Sequence, residues 1–211
     1  MASNIIYPGR EKFFHTFQKI VRARNLIIAT ELAYRLAKVA HANQKRDSGE
    51  RYFDHVKAVA WIIIYELIIE APKRLTIAVV AALLHDLLED TYAAEEEHLR
   101  FIFDKIDPLM TTIIGELTKP DDAKSHEEKW YRLLNSREKL TKIVKGADRL
   151  HNVRSLTTCG SIAKMKKIVK ETEEIILPWL EKDQQDKNIL YLIQAIGNEL
   201  EDVKAYIEKN K

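Results

Sequence analysis

The chain has 211 residues, enough to bury the core of one domain, and we expect a single domain over residues 1–211. Its composition is 46% hydrophobic and 31% charged, with only six Gly and five Pro. This balance favours amphipathic helices over a turn-rich β-protein and predicts an all-α fold. The formal net charge of +2 excludes the overall positive field that marks many nucleic-acid binders.

Cysteine content and the N-terminal sequence give information on the cellular compartment of the protein. The only cysteine, Cys159, excludes an internal disulfide, which agrees with a reducing environment. No basic segment followed by a long apolar run opens the chain, and no apolar run approaches roughly 18 residues. We therefore expect a cytoplasmic protein with no membrane partner.

The first half of the chain contains three predicted helices. Apolar residues in 26–40 recur at alternating steps of three and four, which is typical of a helix with one buried stripe. The polar stretch 42–51 contains a Ser-Gly pair and predicts an exposed loop. Segments 52–70 and 76–88 are apolar over most of their circumference, so we expect two central helices separated by Ala71-Pro72.

The middle of the chain is more polar. The acidic run 95–97 suits the beginning of a short helix, because carboxylates are favourable at the positive end of the helix dipole. A further helix is expected over residues 107–117. Segment 118–125 is then the longest loop-like stretch and is a candidate lid over a site.

Three helices are expected in the last third of the chain. The first covers residues 138–150, and the second is a basic-faced helix over 161–177 that ends before Pro178. The third is a long final helix with one apolar stripe. The stripe residues are Ile189, Leu192, Ile196, Leu200, Val203 and Ile207.

Four residues suggest a metal site: His55, the adjacent pair His85-Asp86, and Asp148. Two imidazole nitrogens and two carboxylates suit a divalent cation and leave positions open for water and a phosphate oxygen. The pair follows an apolar segment, 78–84, that we expect to be buried. An ionisable pair is costly to bury there unless a cation compensates.

Residues next to these candidates could assist the chemistry. Glu89 lies one helical turn beyond His85, where a carboxylate can orient water or accept its proton. At helical spacing Asp148, His151 and Asn152 share one face, and we expect Arg149 to point elsewhere. Asn152 would therefore enter the same cavity as Asp148.

Three segments, 44–55, 85–91 and 147–154, resemble the hydrolase domain of the RelA/SpoT alarmone enzymes. They contain Arg-x-Ser-Gly-Glu ahead of His55, Glu-Asp-Thr after the His-Asp pair, and Asp-Arg-Leu-His-Asn around Asp148. These motifs are more specific than the four ligands alone, which all His-Asp phosphohydrolases share. The resemblance runs from about residue 41 to residue 179.

The resemblance implies an HD-domain helical bundle of about eight to ten helices. It implies Mn²⁺-dependent hydrolysis of the 3′-pyrophosphate of guanosine tetra- or pentaphosphate (ppGpp or pppGpp), the stringent-response alarmones, to GDP or GTP and pyrophosphate. The implied metal ligands are His55, His85, Asp86 and Asp148, and the implied catalytic carboxylates are Glu89 and Asp90. The implied substrate contacts are Arg46, Ser48, Asn152, Arg154 and Ser155.

Relatives of this family continue into synthetase and regulatory domains. This chain ends about thirty residues past Pro178, so we expect a stand-alone alarmone hydrolase without synthetase activity. The cationic side chains that a pyrophosphate requires are concentrated in the motif segments. They are Lys45, Arg46, Arg51, Arg149 and Arg154.

The chain departs from the family pattern at a few positions. Asp47 stands where a basic residue is frequent, and we expect this carboxylate to weaken polyphosphate binding. Arg51 replaces a frequent proline, Val56 follows His55 where proline is usual, and Ser155 replaces threonine but keeps the hydroxyl.

Other functions remain open at this stage. An adenosine alarmone would use the same metal and carboxylates, as would NADPH, which relatives similar to the metazoan SpoT homologue accept. A nucleotide-binding protein without catalysis is the alternative from another class, and intact Glu89 and Asp90 argue against it. The basic run 164–167 fits a solvated helix face better than a nucleic-acid site, because no aromatic residues interleave with it.

Overall fold

The computed structural model describes residues 8–87, 107–118 and 126–210, with only the backbone for 126–129. These ranges contain ten α-helices, one short 3₁₀ turn and one π turn, and no β-strand, which confirms the all-α prediction. The helices are α1 Arg10–Ile20, α2 Arg24–Ala40, α3 Tyr52–Tyr65, α4 Pro72–Leu84, α5 Leu109–Leu117, α6 His126–Asn135, α7 Lys139–Arg154, α8 Ile162–Glu171, α9 Leu177–Glu181 and α10 Lys187–Lys209.

Helices α3, α4 and α7 form the centre of the bundle and pack against one another. All ten residues from Leu75 to Leu84 on α4 are buried, as its nearly continuous apolar sequence predicts. The helix begins at Pro72, earlier than predicted, because proline is well suited to the first helical turn, where its missing N–H is not needed. His85 and Asp86 follow directly at its C-terminal end.

Helix α3 is shorter than the predicted segment 52–70 and ends at Tyr65. The chain beyond it is held by Asn188 at the start of α10. The Asn188 side chain accepts a hydrogen bond from the Ile68 N–H at 2.7 Å and donates one to the Ile68 carbonyl at 3.1 Å. This tertiary contact replaces the hydrogen bonds that a longer helix would have made.

Two helices in the described ranges were not predicted. Helix α1 packs through Phe13 and Phe14, whose ring centroids lie 5.4 and 5.3 Å from that of Tyr34 on α2. Helix α6 buries Trp130 and Leu133 but is otherwise mostly polar. The three buried phenylalanines of α1 recur at helical spacing, so the signal for this helix was present in the sequence. Both helices are short and depend on their packing partners for stability.

The predicted end of a helix before Pro178 is wrong. Helix α8 passes into a π turn over Thr172–Ile176 and then into α9, which contains Pro178. The Leu177 N–H donates to the Thr172 carbonyl in this wider turn. The wider turn accommodates Pro178, which has no N–H to donate.

The long helix α10 lies along α7 and buries all six predicted stripe residues. The packing is tight at Gly146 on α7, where an added Cβ would lie 2.9 Å from Leu192 Cδ1 on α10. Within the described ranges, no helix combines the length and apolar character needed to span a bilayer. The predicted helix that begins near 95 and residues 119–125 of the predicted loop lie outside these ranges.

Candidate metal centre and adjoining cavity

The central helices bring the four predicted metal ligands together. His55 Nε2 lies 3.4 Å from Asp148 Oδ1 and 3.6 Å from Asp86 Oδ2. His85 Nε2 lies 3.0 Å from Asp86 Oδ2 and 3.7 Å from Asp148 Oδ1. Ligand atoms of His55, His85 and Asp148 all lie within 4.8 Å of one another. Four donors from three helices thus converge on a space of the size that one ion needs.

His85 is oriented for binding a cation. Its Nδ1–H donates to the Ala82 carbonyl at 2.8 Å, one turn back along α4. In the neutral ring this bond places the lone pair on Nε2. Nε2 is buried and faces Asp86 and Asp148, without a well-aligned hydrogen bond to any described residue. An imidazole whose one N–H is held by a backbone carbonyl, leaving the other nitrogen for a cation, is the usual arrangement of a metal-binding histidine.

His55 is held in a similar way by a second histidine. Its Nδ1 shares a hydrogen bond of 2.8 Å with Nδ1 of His151. Burial, reinforced by His55 and Arg46, lowers the pKa of His151 well below its usual range, so His151 is neutral and can accept the proton. His55 Nε2 is thereby left facing the two carboxylates. The sequence placed His151 on the same face as Asp148 but did not show this role.

Each carboxylate also has a partner that the sequence did not reveal. The Tyr52 hydroxyl donates to Asp86 Oδ2 at 2.7 Å. Lys145 donates to Asp148 Oδ2 at 2.7 Å, and Asn152 donates to Asp148 Oδ1 at the same distance. The i to i+3 spacing of Lys145 and Asp148 on a helix was the available signal for that pair.

The electrostatics of the cluster favour positive charge at its centre. Burial alone would raise the pKa of Asp86 and Asp148, but His85, His55 and Lys145 hold both well below the usual range. Burial also works against a charged His85, yet the two carboxylates raise the pKa of His85 to about 10. A divalent cation would compensate the two carboxylates more fully than the proton on His85 and would displace that proton. The residues therefore fit a metal ion.

A cavity of about 220 Å³ opens beside the cluster, lined in part by Tyr52, His55, Asp86 and Asp148. Part of its lining comes from the loop before α3, in which Gly49 adopts a φ of 84° and closes a tight turn onto the Arg46 carbonyl. A β-bridge between Lys45 and Arg51 closes the base of this loop.

The same loop directs Arg46 at the end of α7. The Arg46 guanidinium donates to Asn152 Oδ1 at 2.6 Å and to Ser155 Oγ at 3.0 Å. Ser48 also lines the cavity, and its hydroxyl lies 3.4 Å from a Glu50 carboxylate oxygen. Four of the five predicted substrate contacts, Arg46, Ser48, Asn152 and Ser155, therefore surround one cavity.

The fifth predicted contact, Arg154, does not line this cavity. Its guanidinium makes two hydrogen bonds to Glu66, at 2.7 and 3.0 Å, and one to Glu199 at 3.1 Å. This network links the ends of α3 and α7 to α10. The donors of Arg154 are therefore engaged by Glu66 and Glu199, neither of which lines the cavity.

Arg149 shows the reverse discrepancy from Arg154, since it lines the cavity although its side chain was not expected to point there. It was expected to point away from the face of Asp148, but it lines the same cavity. Adjacent positions on a helix differ by about 100°, and a long side chain can bridge that angle. Asp47 also lines the cavity and forms an ion pair with Lys164 of α8, which lowers the pKa of the Asp47 carboxyl.

The two predicted catalytic carboxylates, Glu89 and Asp90, lie outside the described residues. The description of this part of the chain ends at Leu87, immediately after the His85-Asp86 pair. Their role therefore stays a prediction from the sequence.

The fold and the site define an all-α protein with an internal His-Asp cluster suited to a divalent metal. Comparison with known families agrees with this class. The model of the HD domain family matches residues 33–178, more than half of the chain. The chain therefore belongs to the HD-domain family.

Several curated proteins are similar to this chain. The guanosine-3′,5′-bis(diphosphate) 3′-pyrophosphohydrolase of Haemophilus influenzae is 34% identical over 178 residues, covering 80% of this chain and 23% of that protein. The bifunctional (p)ppGpp synthase/hydrolase SpoT of Escherichia coli is 34% identical over 157 residues, covering 69% and 20%. A pyrophosphohydrolase of the same name from Aquifex aeolicus is 34% identical over 175 residues, covering 81% and 22%. The chain thus spans about a fifth of the length of these relatives.

Proposed function

We propose that this protein hydrolyses the 3′-pyrophosphate of guanosine 3′,5′-bis(diphosphate), releasing pyrophosphate and GDP, or GTP from the pentaphosphate. The observation that carries the proposal is the convergence of His55, His85, Asp86 and Asp148 at the wall of a cavity bordered by Arg46. The names of the similar proteins supply the substrate. We also propose one domain over residues 1–211 and, from the single cysteine, a cytoplasmic location.

The proposed cofactor is one Mn²⁺ held by His55, His85, Asp86 and Asp148. When bound, a divalent ion supplies Lewis acidity toward a phosphoryl oxygen and lowers the pKa of water. The protein fixes the donors: Ala82 and His151 hold the two rings, and Tyr52 and Lys145 hold the two carboxylates. Such partners keep a coordination geometry in place during turnover.

The cavity beside the cluster suits a purine nucleotide. Trp130, Leu156 and Ile168 give it an apolar side against which a base can pack. Arg46 lines it too, and its planar guanidinium can stack on a base or bind a phosphate. Among the described lining residues, Arg46, Lys145, Arg149 and Lys164 supply positive charge for a polyanionic substrate.

We propose Glu89 and Asp90 as the catalytic carboxylates, from their position directly after the metal-binding pair in the sequence. Glu89 would accept a proton from the attacking water, and Asp90 would orient the reacting groups. General-base catalysis of this kind contributes about 10²–10⁴ in rate.

The substrate is tested by incubating the purified protein and Mn²⁺ with guanosine 3′-pyrophosphates, adenosine 3′-pyrophosphates and NADPH in parallel. Products are separated by ion-exchange chromatography. We expect the guanosine 3′-pyrophosphates to be hydrolysed at the highest rate, to pyrophosphate and GDP or GTP. Faster turnover of the adenosine compound or of NADPH would reassign the substrate, and binding without turnover of all three would make the protein a nucleotide binder.

The catalytic role of Glu89 is tested by Glu89→Gln. We expect this variant to bind Mn²⁺ like the wild type but to lose turnover by about 10²-fold or more, because the amide cannot accept a proton. Glu70→Gln is the matched control, since Glu70 is exposed and pairs only loosely with Lys187, at 3.5 Å. Turnover retained in Glu89→Gln would remove this residue from the mechanism.

A further inference from the structure

Two buried cations on α7 stand at the wall of the cavity. Lys145 and Arg149 are 7% and 5% exposed, and both line the cavity next to the metal cluster. Charged side chains this deeply buried are rare unless their charge and their hydrogen-bonding groups are satisfied.

The two cations differ in how far the protein satisfies them. Lys145 is engaged by Asp148, with a separation of 2.7 Å. The Asp148 and Glu171 carboxylates both act on Arg149 electrostatically. Among the described residues its ion-pair contact is with Glu171, whose Oε2 lies 3.9 Å from Nη2 and therefore beyond hydrogen-bonding distance. Its Nε is buried and has no hydrogen-bond partner among the described residues. A guanidinium carries five donors in a rigid fork, so the residues that the structure describes leave Arg149 under-satisfied.

We propose that Arg149, supported by Lys145, forms an anion subsite that binds the pyrophosphate group of the substrate beside the metal. Both side chains line the cavity that contains the Asp86 and Asp148 carboxylates, so an anion bound there is adjacent to the ion. Phosphate oxygens match the fork of a guanidinium, and the charge-assisted bonds would supply the partners that Arg149 lacks. The identity of the anion rests on the proposed function.

The Glu171 carboxylate would compete with a bound pyrophosphate for the Arg149 guanidinium. This carboxylate also lines the cavity and stands opposite the Arg149 guanidinium. A pyrophosphate entering the subsite would displace this long ion pair and would meet repulsion from the carboxylate. Neutralising Glu171 should therefore strengthen pyrophosphate binding, whereas removing the cation should weaken it.

The first test measures binding of inorganic pyrophosphate to the protein by isothermal titration calorimetry, with the same excess of Mn²⁺ in cell and syringe. In Arg149→Gln we expect pyrophosphate binding to weaken by at least about tenfold, from the loss of charge-assisted hydrogen bonds, while Mn²⁺ affinity is unchanged. Lys142→Met is the matched control. It removes another buried cation from α7, whose partners are Trp179 and Asp183 outside the cavity, and should bind pyrophosphate like the wild type.

The second test uses Glu171→Gln, which we expect to bind pyrophosphate a few-fold more tightly. A purely structural ion pair predicts the opposite, namely lower thermal stability and unchanged or weaker binding, and that result would overturn the subsite. If Arg149→Gln does not fold, Arg149→Lys replaces it. This variant keeps the charge but loses the fork, and we expect intermediate affinity.

The subsite and the proposed function can fail separately. Arg149-dependent pyrophosphate binding by a protein that does not hydrolyse guanosine 3′-pyrophosphates would support the subsite and overturn the function. Hydrolysis by the wild type, together with wild-type pyrophosphate affinity in Arg149→Gln, would overturn the subsite alone. Absence of pyrophosphate binding to the Mn²⁺-loaded wild type would also overturn the subsite.

Discussion

Two arginines on different sides of α7, Arg154 and Arg149, differ in how far the protein engages their guanidinium groups. Arg154 directs its guanidinium at Glu66 and Glu199, and its three hydrogen bonds of 2.7 to 3.1 Å engage each of its nitrogens. Arg149 faces the cavity, contacts the Glu171 carboxylate at 3.9 Å, and leaves Nε without a partner among the described residues. The comparison indicates that an arginine fixes structure where protein carboxylates engage its donors, and we propose that it serves a ligand where they do not.

The largest effect is expected on the cavity side, from the substitution of a residue in the His-Asp cluster. In His85→Ala, we expect loss of stoichiometric metal and of turnover by about 10²-fold or more, because one ligand is gone and the two buried carboxylates lose the cation between them. Metal content and hydrolysis rates measure this. His15→Ala, at an exposed histidine of α1, is the control. Full metal occupancy in His85→Ala would remove His85 from the ligand set.

The Arg154 side of α7 should respond in stability and not in binding. In Arg154→Met, we expect the free energy of unfolding to fall by about 2–4 kcal/mol, because Glu66 and Glu199 lose their partner in a partly buried network. Denaturant unfolding measures this, and pyrophosphate affinity should stay at the wild-type value. Tyr191→Phe removes only one hydrogen bond to Glu66 and should cost about 1 kcal/mol. Weakened pyrophosphate binding in Arg154→Met would contradict the division between the two sides.

Packing between α7 and α10 can be tested at a single glycine. In Gly146→Ala, we expect a loss of about 1–3 kcal/mol in stability, since the new methyl group would meet Leu192 Cδ1 at 2.9 Å in a filled core. Gly197→Ala is the matched control on α10, because a Cβ there meets no atom within 4 Å. That change should instead stabilise the protein slightly, through helix propensity. Equal effects of the two substitutions would contradict close packing at Gly146.

The smallest effect concerns pH and the buried Lys142 at the start of α7. A hydrogen bond from Lys142 lowers the pKa of Asp183 below its ordinary value of 3.8. A lowered carboxyl pKa stabilises the folded state above 3.8, and this contribution is lost as pH falls through the lower folded-state pKa. We therefore expect Asp183→Asn to lower the melting temperature at neutral pH, with the difference from wild type shrinking below about pH 4. A difference that is constant with pH would exclude the ion pair as its cause.

Short, periodic and motif-based features were predictable from the sequence. The stripe of α10 and the continuous apolar sequence of α4 required only local patterns. The boundaries of α3 and α9 did not follow from local patterns. Asn188 holds the chain after α3, and a π turn carries the last helical segment through Pro178. Such features depend on atoms distant in sequence or on a small change in helix geometry, which periodicity does not record.

The candidate site shows the same division. Its ligand types could be predicted because imidazoles and carboxylates in this order suit a metal ion. The residues that hydrogen-bond to these ligands could not be predicted, because no local pattern pairs Tyr52 with Asp86 or His151 with His55.

The sequence alone determined an all-α chain with an internal His-Asp group, because helical periodicity and ligand chemistry are local properties of the side chains. Tertiary structure decided which cations reach the cavity. Arg154 was expected there and is held by Glu66. Arg149 was counted among the cations available to a pyrophosphate but was expected to point away from the face of Asp148, and it lines the cavity wall. The physical reason is that a long side chain follows the partners available around its helix, and those partners come from helices far apart in the sequence.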